Sequence, residues 1–148
     1  RDAVGVGVDI STEALKIAEE NGQNLKITDR VEWRQGDYLK AFDEEDIFDG
    51  IFSNPPYIPT KDIGGLSREV KHEPRLALDG GTDGLYFYHL LAKGAAEHLK
   101  PGGFLAVEFG IGQATDILEM FRKSAQYEDF EVIKDYGGIE RALYCRKK

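Results

Sequence analysis

The sequence predicts an α/β domain with a mostly parallel sheet and a C-terminal antiparallel hairpin. Three observations carry that prediction. Short apolar runs alternate with stretches of helical period, in the order strand, helix, strand, strand, helix, strand, helix, strand, strand. Strands separated by helices form parallel sheets with helices on both faces. The early runs stop at polar or backbone-breaking residues: Asp9, Gly36-Asp37, Asn54-Pro55-Pro56 and Gly110-Ile111-Gly112. Finally, Phe130-Glu131-Val132-Ile133 and Ala142-Leu143-Tyr144-Cys145 flank Gly137-Gly138, which is a hairpin signal.

Composition bounds the function. A length of 148 residues fits one domain over 1–148 with a core of ordinary size. Apolar content of 41% with 31% charged residues describes a soluble globular chain. With 27 acidic against 19 basic residues the net charge is -8, which argues against a broad phosphate-binding surface. No apolar run approaches the ~20 residues that cross a membrane, and the start lacks a signal-peptide pattern. The single cysteine, Cys145, fits a reducing compartment, so a cytoplasmic location is expected. Three separated histidines without clustered carboxylates predict no metal site.

Taken in order, Ala3 to Asp9 alternates valine and reads as an inner strand. Ser11 or Thr12 can cap a helix with Ala14, Leu15 and Ala18 inward, ending at Asn21-Gly22. Val31 to Gln35 alternates as a second strand. Asp43-Glu44-Glu45-Asp46 reads as a solvated acidic turn. Phe48 to Ser53 is the third strand, and a long irregular stretch runs from Ile58 to Gly84. Loops beyond about 12–15 residues are uncommon in compact domains and are usually functional or disordered. Leu85, Tyr88, Ala92, Ala95, Ala96 and Leu99 share a helical face, and Lys100-Pro101-Gly102-Gly103 breaks that helix. Phe104 to Phe109 is a buried strand, and Ala114 to Ala125 a helix with Ile117, Leu118 and Phe121 inward.

Asn54-Pro55-Pro56-Tyr57 stands out chemically. Proline cannot donate to a ladder and biases the residue before it away from helix, so the third strand must stop at Asn54. An amide side chain, two stiff residues and an aromatic ring then sit at the carboxyl end of a strand, the edge where open α/β sheets bind ligands. A plain Pro-Pro turn with Tyr57 as packing is the alternative.

With Asp9, Gly36-Asp37-Tyr38 and Asn54-Pro55-Pro56-Tyr57 ending three successive strands, the chain resembles Rossmann-like class I methyltransferases that use S-adenosyl-L-methionine. Glu73-Pro74-Arg75-Leu76-Ala77-Leu78-Asp79-Gly80-Gly81-Thr82-Asp83-Gly84-Leu85 narrows the resemblance to the glutamine methyltransferases of peptide chain release factors. The resemblance implies Asp9 on the cofactor ribose, Asp37 and Tyr38 at its adenine, and Asn54 at cofactor and substrate. It implies Asn54, Pro55, Pro56 and Tyr57 as the substrate corner, with Asn54, Pro55 and Tyr57 carrying catalysis. The partner implied is a peptide chain release factor, with no direct nucleic acid and no membrane. Asp9 taken alone reads first as a helix-capping or turn carboxylate, and His72 and Glu73 read as loop residues rather than bases. Nucleic-acid amino methyltransferases share the Asn-Pro-Pro-Tyr element, so they remain the competing reading, with a non-catalytic fragment as the third. The family's first strand and glycine-rich turn have no counterpart here, because Asp9 follows Val4-Gly5-Val6-Gly7 at once. The expectation is therefore a catalytic domain incomplete at its N-terminus, whose flanking strands re-pair, recruit a neighbour, or leave the chain marginal.

Overall fold

Alternating valines put Gly5–Asp9 into an extended strand, β1, in a computed structural model that describes residues 3–68 and 70–148. β1 pairs in parallel with β2, Val31–Gln35, in the register Gly5 to Val31 and Asp9 to Gln35. A second sheet has the order β3-β4-β6-β5, where β3 is Phe48–Ser53, β4 Leu99–Glu108, β5 Tyr127–Lys134 and β6 Glu140–Lys147. β3 and β4 are parallel, while β6 runs antiparallel to both β4 and β5. The α/β class, the parallel pairs and the C-terminal hairpin are as expected. Contacts divide the chain into two compact units, 1–46 and 47–148. Among the described residues β1 has a ladder partner only in β2, and β3 only in β4.

In the first unit, Ser11 caps α1, Thr12–Asn24, by accepting the Ala14 N–H at 3.2 Å. The helix does not stop at Gly22. Gly22 is interior and buried, and a Cβ there would sit 3.6 Å from the Trp33 indole. The stop comes at Lys26, in the left-handed region at φ 55, with Ile27 N–H donating back to the Gly22 carbonyl. That is a Schellman ending with a lysine where glycine is usual. The acidic turn is not merely solvated either. Asp46 accepts from the Arg34 guanidinium, and Glu32 takes the other side at 2.7 Å. Those two carboxylates, Glu32 foremost, hold Arg34 well above its ordinary pKa and so firmly cationic.

In the second unit the core is one face of the sheet plus two helices. Ile51, Leu105, Val107, Leu143 and Cys145 alternate inward and are buried. Tyr88, Leu91 and Ala92 of α3, Tyr86–Gly94, and Ile117 and Phe121 of α4, Ala114–Lys123, complete it. Each large side chain fully buried in this way contributes about 1.5–3 kcal/mol of transfer free energy. The Tyr88 hydroxyl donates to the Glu108 carbonyl at 2.8 Å, pinning α3 to β4. Burial pushes the Cys145 thiol up to about 12, so it behaves as a small hydrophobe.

Three boundaries differ from expectation. The helix after Leu85 is α-helical only to Gly94, tightens to a 3-10 turn over Ala95–His98, and yields to β4 at Leu99. The breaker cluster therefore lies inside β4, where the β3 register shifts between Phe48 and Gly50 and Gly102 takes φ +73. β5 starts at Tyr127, earlier than alternation suggests, because a bulge with Asp129 at φ 52 interrupts the period. The stretch 58–84 is organised rather than loose. It holds 3-10 turns at Thr60–Gly65 and Val70–His72 and the four-residue α2, Arg75–Leu78. No helix among the described residues is long and apolar enough to cross a membrane.

Candidate functional site

In the first unit the strand register brings the carboxyl ends of β1 and β2 to one edge, since Asp9 lies opposite Gln35. Asp9 Oδ1 accepts the Ser11 N–H at 2.8 Å, so one carboxylate oxygen does serve the turn. The other has no partner among the described residues. Gly36 precedes a tight turn that a side chain would obstruct, because its Cβ would stand 3.0 Å from Ala41 Cα. Asp37 then opens a 3-10 turn, Tyr38–Ala41, and its carboxylate pairs with Lys40. Tyr38 is held at φ 63. A bulky residue in the left-handed region stores of order 1–3 kcal/mol of strain, and such strain clusters at binding sites. Asp9, Asp37 and Tyr38 thus share one sheet edge.

In the second unit the corner forms as its residue types require. Asn54 is exposed, Pro55 is buried, and Pro56 and Tyr57 are half-buried. Asn54 lines a cavity of about 410 Å³ together with Phe52, Ser53, Ala106, Glu108 and Ala142. The register explains that lining: Phe52 pairs with Ala106, and Glu108 with Ala142. Phe52 and Phe104 meet edge-on at 5.2 Å, and Phe104 stacks on Tyr144 at 5.7 Å. The Asn54 side-chain amide makes no hydrogen bond among the described residues and remains available to a ligand.

Past the corner, the chain is strapped to 78–84. Ile58 N–H donates to the Leu78 carbonyl, Gly80 N–H to Ile58 and Thr60 N–H to Gly81, at 3.0, 2.9 and 2.9 Å. Asp79 ties the strap by accepting the Thr60 hydroxyl at 2.6 Å, the Gly81 N–H at 3.1 Å and the Arg75 guanidinium at 3.1 Å. Those donors, the Thr60 hydroxyl first, hold its carboxyl below the usual range. Leu78 to Gly81 thus tie down the chain just past the corner.

Sequence reasoning missed Glu108 and Gln113. Glu108 reads as the end of a strand, yet it lines the same cavity as Asn54. Gln113 reads as part of a turn, yet its side chain donates to the Tyr57 carbonyl at 3.0 Å, 56 residues away. The available signal was Glu108-Phe109-Gly110-Ile111-Gly112-Gln113, a strand exit with two glycines.

A family model described as "UPF0020: RMKL-like, methyltransferase domain" matches residues 1–62. The release factor glutamine methyltransferase of Moorella thermoacetica is 42% identical over 140 residues, which cover 95% of this chain and 49% of that protein. The protein of the same name from Bradyrhizobium diazoefficiens is 46% identical over 146 residues, covering 98% and 48%. The chain thus spans about half the length of the curated relatives it matches. Among solved structures, a methyltransferase from Pyrococcus furiosus is similar with a TM-score of 0.68 at 24% identity, over 96% of this chain and 61% of that one. An RNA methyltransferase from Salinibacter ruber, solved with S-adenosyl-L-homocysteine, gives a TM-score of 0.53 at 18% identity, over 98% and 66%. The fold is that of the class I methyltransferases, and the chain is similar to release factor glutamine methyltransferases over about half of their length.

Proposed function

We propose that this chain serves methyl transfer from S-adenosyl-L-methionine to the side-chain amide nitrogen of a glutamine in a peptide chain release factor. On this reading 1–148 belong to one methyltransferase catalytic domain. The observation that carries the proposal is the free Asn54 amide at a rigid strand end, in a chain more than 40% identical to proteins named for this reaction.

S-adenosyl-L-methionine, when bound, supplies a methyl group on a sulfonium leaving group. The residues of the first unit suit its nucleoside. Asp9 has a carboxylate oxygen free to accept from a ribose diol. Asp37 offers an acceptor for an adenine amino group, and Tyr38 a ring to line the base. Asn54 is assigned to the cofactor as well as to the substrate.

The glutamine side is where the chemistry is hard. An amide nitrogen shares its lone pair with its carbonyl and is a weak nucleophile. The Asn54 side-chain oxygen and the Pro55 carbonyl supply two acceptors for the two amide N–H groups. They aim the nitrogen and favour the positive charge that develops on it. Pro55 and Pro56 fix the direction of that carbonyl by fixing the backbone. Tyr57 contributes a ring beside the planar amide that excludes water. No base has to act before transfer, since the proton can leave afterwards.

The test is transfer of labelled methyl to a purified release factor, with DNA assayed in parallel and the modified residue located by mass spectrometry. Label on a glutamine of the factor is expected. Asn54→Ala should lower the rate by about 10²–10³-fold with an unchanged circular dichroism spectrum. Label on DNA alone, or near-normal turnover by the variant, would sink the reading.

A further inference from the structure

We infer that Gln113 is a positioning residue that clamps Tyr57 and thereby fixes the Asn54–Pro55 corner. Three backbone segments converge on its side chain. Oε1 accepts the Gly110 N–H at 2.8 Å, while Nε2 donates to the Tyr57 carbonyl at 3.0 Å and to the Gly84 carbonyl at 3.3 Å. The strand exit after β4, the corner after β3 and the end of the 78–84 strap are thus held by one amide. Both of its donors and its acceptor are used.

The packing around that amide has room for nothing larger. Gly84 sits at φ +78, and a Cβ there would overlap the Tyr57 carbonyl and stand 2.9 Å from Gln113 Nε2. A Cβ on Gly110 would lie 2.9 Å from the Tyr57 ring and 3.0 Å from Gln113 Oε1. One on Gly80 would lie 2.8 Å from the Pro56 carbonyl and from Tyr57 Cα. Glycine at all three positions lets the backbone approach Tyr57 from three sides.

Gln113 also occupies the N-cap position of α4, yet its side chain makes no capping hydrogen bond. Its backbone lies in the right-handed helical region, so the extended geometry of a side-chain cap is not set up there. Its length serves the reach to Tyr57 instead. Because Pro55 and Pro56 cannot relax their φ angles, a clamp at Tyr57 is transmitted to the Pro55 carbonyl and to Asn54.

The catalytic arm of this inference rests on the proposed methyl transfer; the structural arm does not. Gln113→Ser removes the clamp and leaves a short polar side chain. Gln113→Glu keeps length and an acceptor but loses both donors. Hydrogen exchange of the chain is measured first. In both variants the amides of Ile58, Thr60 and Gly80 should exchange about tenfold faster, on the scale of one lost hydrogen bond, while those of Leu105 and Leu143 keep their protection. Unchanged exchange at Ile58, Thr60 and Gly80 overturns the inference whatever the activity. In the release-factor assay, kcat should fall about tenfold in both variants with KM for S-adenosyl-L-methionine within twofold, and the retained protection of Leu105 and Leu143 shows that the fall is not a loss of folded protein. Wild-type kcat in Gln113→Glu would also overturn it. If the unmodified chain labels no release factor, the methyl-transfer reading fails and the exchange data still decide the clamp.

Discussion

Lys26 ends α1 in a conformation that costs an L-residue with a side chain about 1–2 kcal/mol. Four residues earlier, Gly22 spends its backbone freedom inside the same helix, where alanine would be better by about 0.5–1 kcal/mol. Its neighbours leave an ordinary van der Waals contact of 3.6 Å to Trp33 for an added methyl. The two positions carry each other's preferred residue type. Gly22→Ala and Lys26→Gly should therefore each raise the stability of the first unit to urea, by about 0.5–1 and about 1–2 kcal/mol respectively. A fall in stability on Gly22→Ala would contradict this account. Gly7 is the contrasting case, since its missing Cβ would run into the Trp33 ring itself, and substitution there should destabilise.

At the scale of elements, the β5–β6 hairpin depends on Asp135. Its carboxylate accepts the Gly137 N–H at 2.8 Å, the Ile139 N–H at 3.0 Å and the Arg141 guanidinium at 3.1 Å. Those bonds, the Ile139 amide foremost and then Arg141, hold its pKa below the ordinary value. Between the folded and unfolded pKa values the unfolded chain binds more protons, so stability rises with pH there. The contribution is complete above the unfolded value of about 3.9 and disappears as pH falls through the folded one. Asp135→Asn keeps an acceptor but no charge, so its stability deficit against the natural chain should shrink as pH falls below about 4. A deficit that is constant from pH 7 to pH 3 would remove Asp135 from the hairpin's titration. The hairpin is also a fair measure of legibility. Gly137-Gly138 announces the turn because glycine tolerates its φ of +80. Tyr127 to Asp129 hides the strand's start because a bulge breaks the two-residue period on which strand reading depends. The stop at Asn54 is legible for the opposite reason: a proline's missing N–H is a local fact. Gln113 is not legible, because its hydrogen bond to Tyr57 crosses 56 residues and no local pattern encodes it.

At the scale of the whole molecule, apolar burial is unequally distributed between the two units. Among the described residues, the buried hydrophobic residues of the core, from Ile51 to Cys145, lie in 47–148. In 1–46 the buried residue among those described is Gly22, while Val4, Ile10, Ile17 and Leu25 are exposed. At roughly 25 cal/mol for each Å² of apolar surface removed from water, the second unit has the larger reserve against unfolding. The alternation that identifies strands says which side chains could turn inward, not how much surface each sheet finally buries, so this asymmetry was not legible in the sequence. The chain carries its own probe of it. Its one tryptophan, Trp33, belongs to the first unit and lies against Gly7 and Gly22. The tyrosines with the lowest exposure, Tyr88 and Tyr127, belong to the second unit, Tyr88 bonded to β4 and Tyr127 to α3. Urea unfolding followed by Trp33 fluorescence should therefore have a lower midpoint than unfolding followed by the near-ultraviolet dichroism of the tyrosines. Amides of β1 and β2 should exchange through openings of lower free energy than those of β4 and β6. Two-state unfolding demands coincident transitions from all probes, so a single midpoint shared by Trp33 and the tyrosines would contradict this ordering. Separate midpoints would show that Asp9, Asp37 and Tyr38 are carried by the less stable unit and Asn54 by the more stable one. A ligand that binds the first unit would then raise the Trp33 midpoint first, by an amount set by its concentration relative to its Kd.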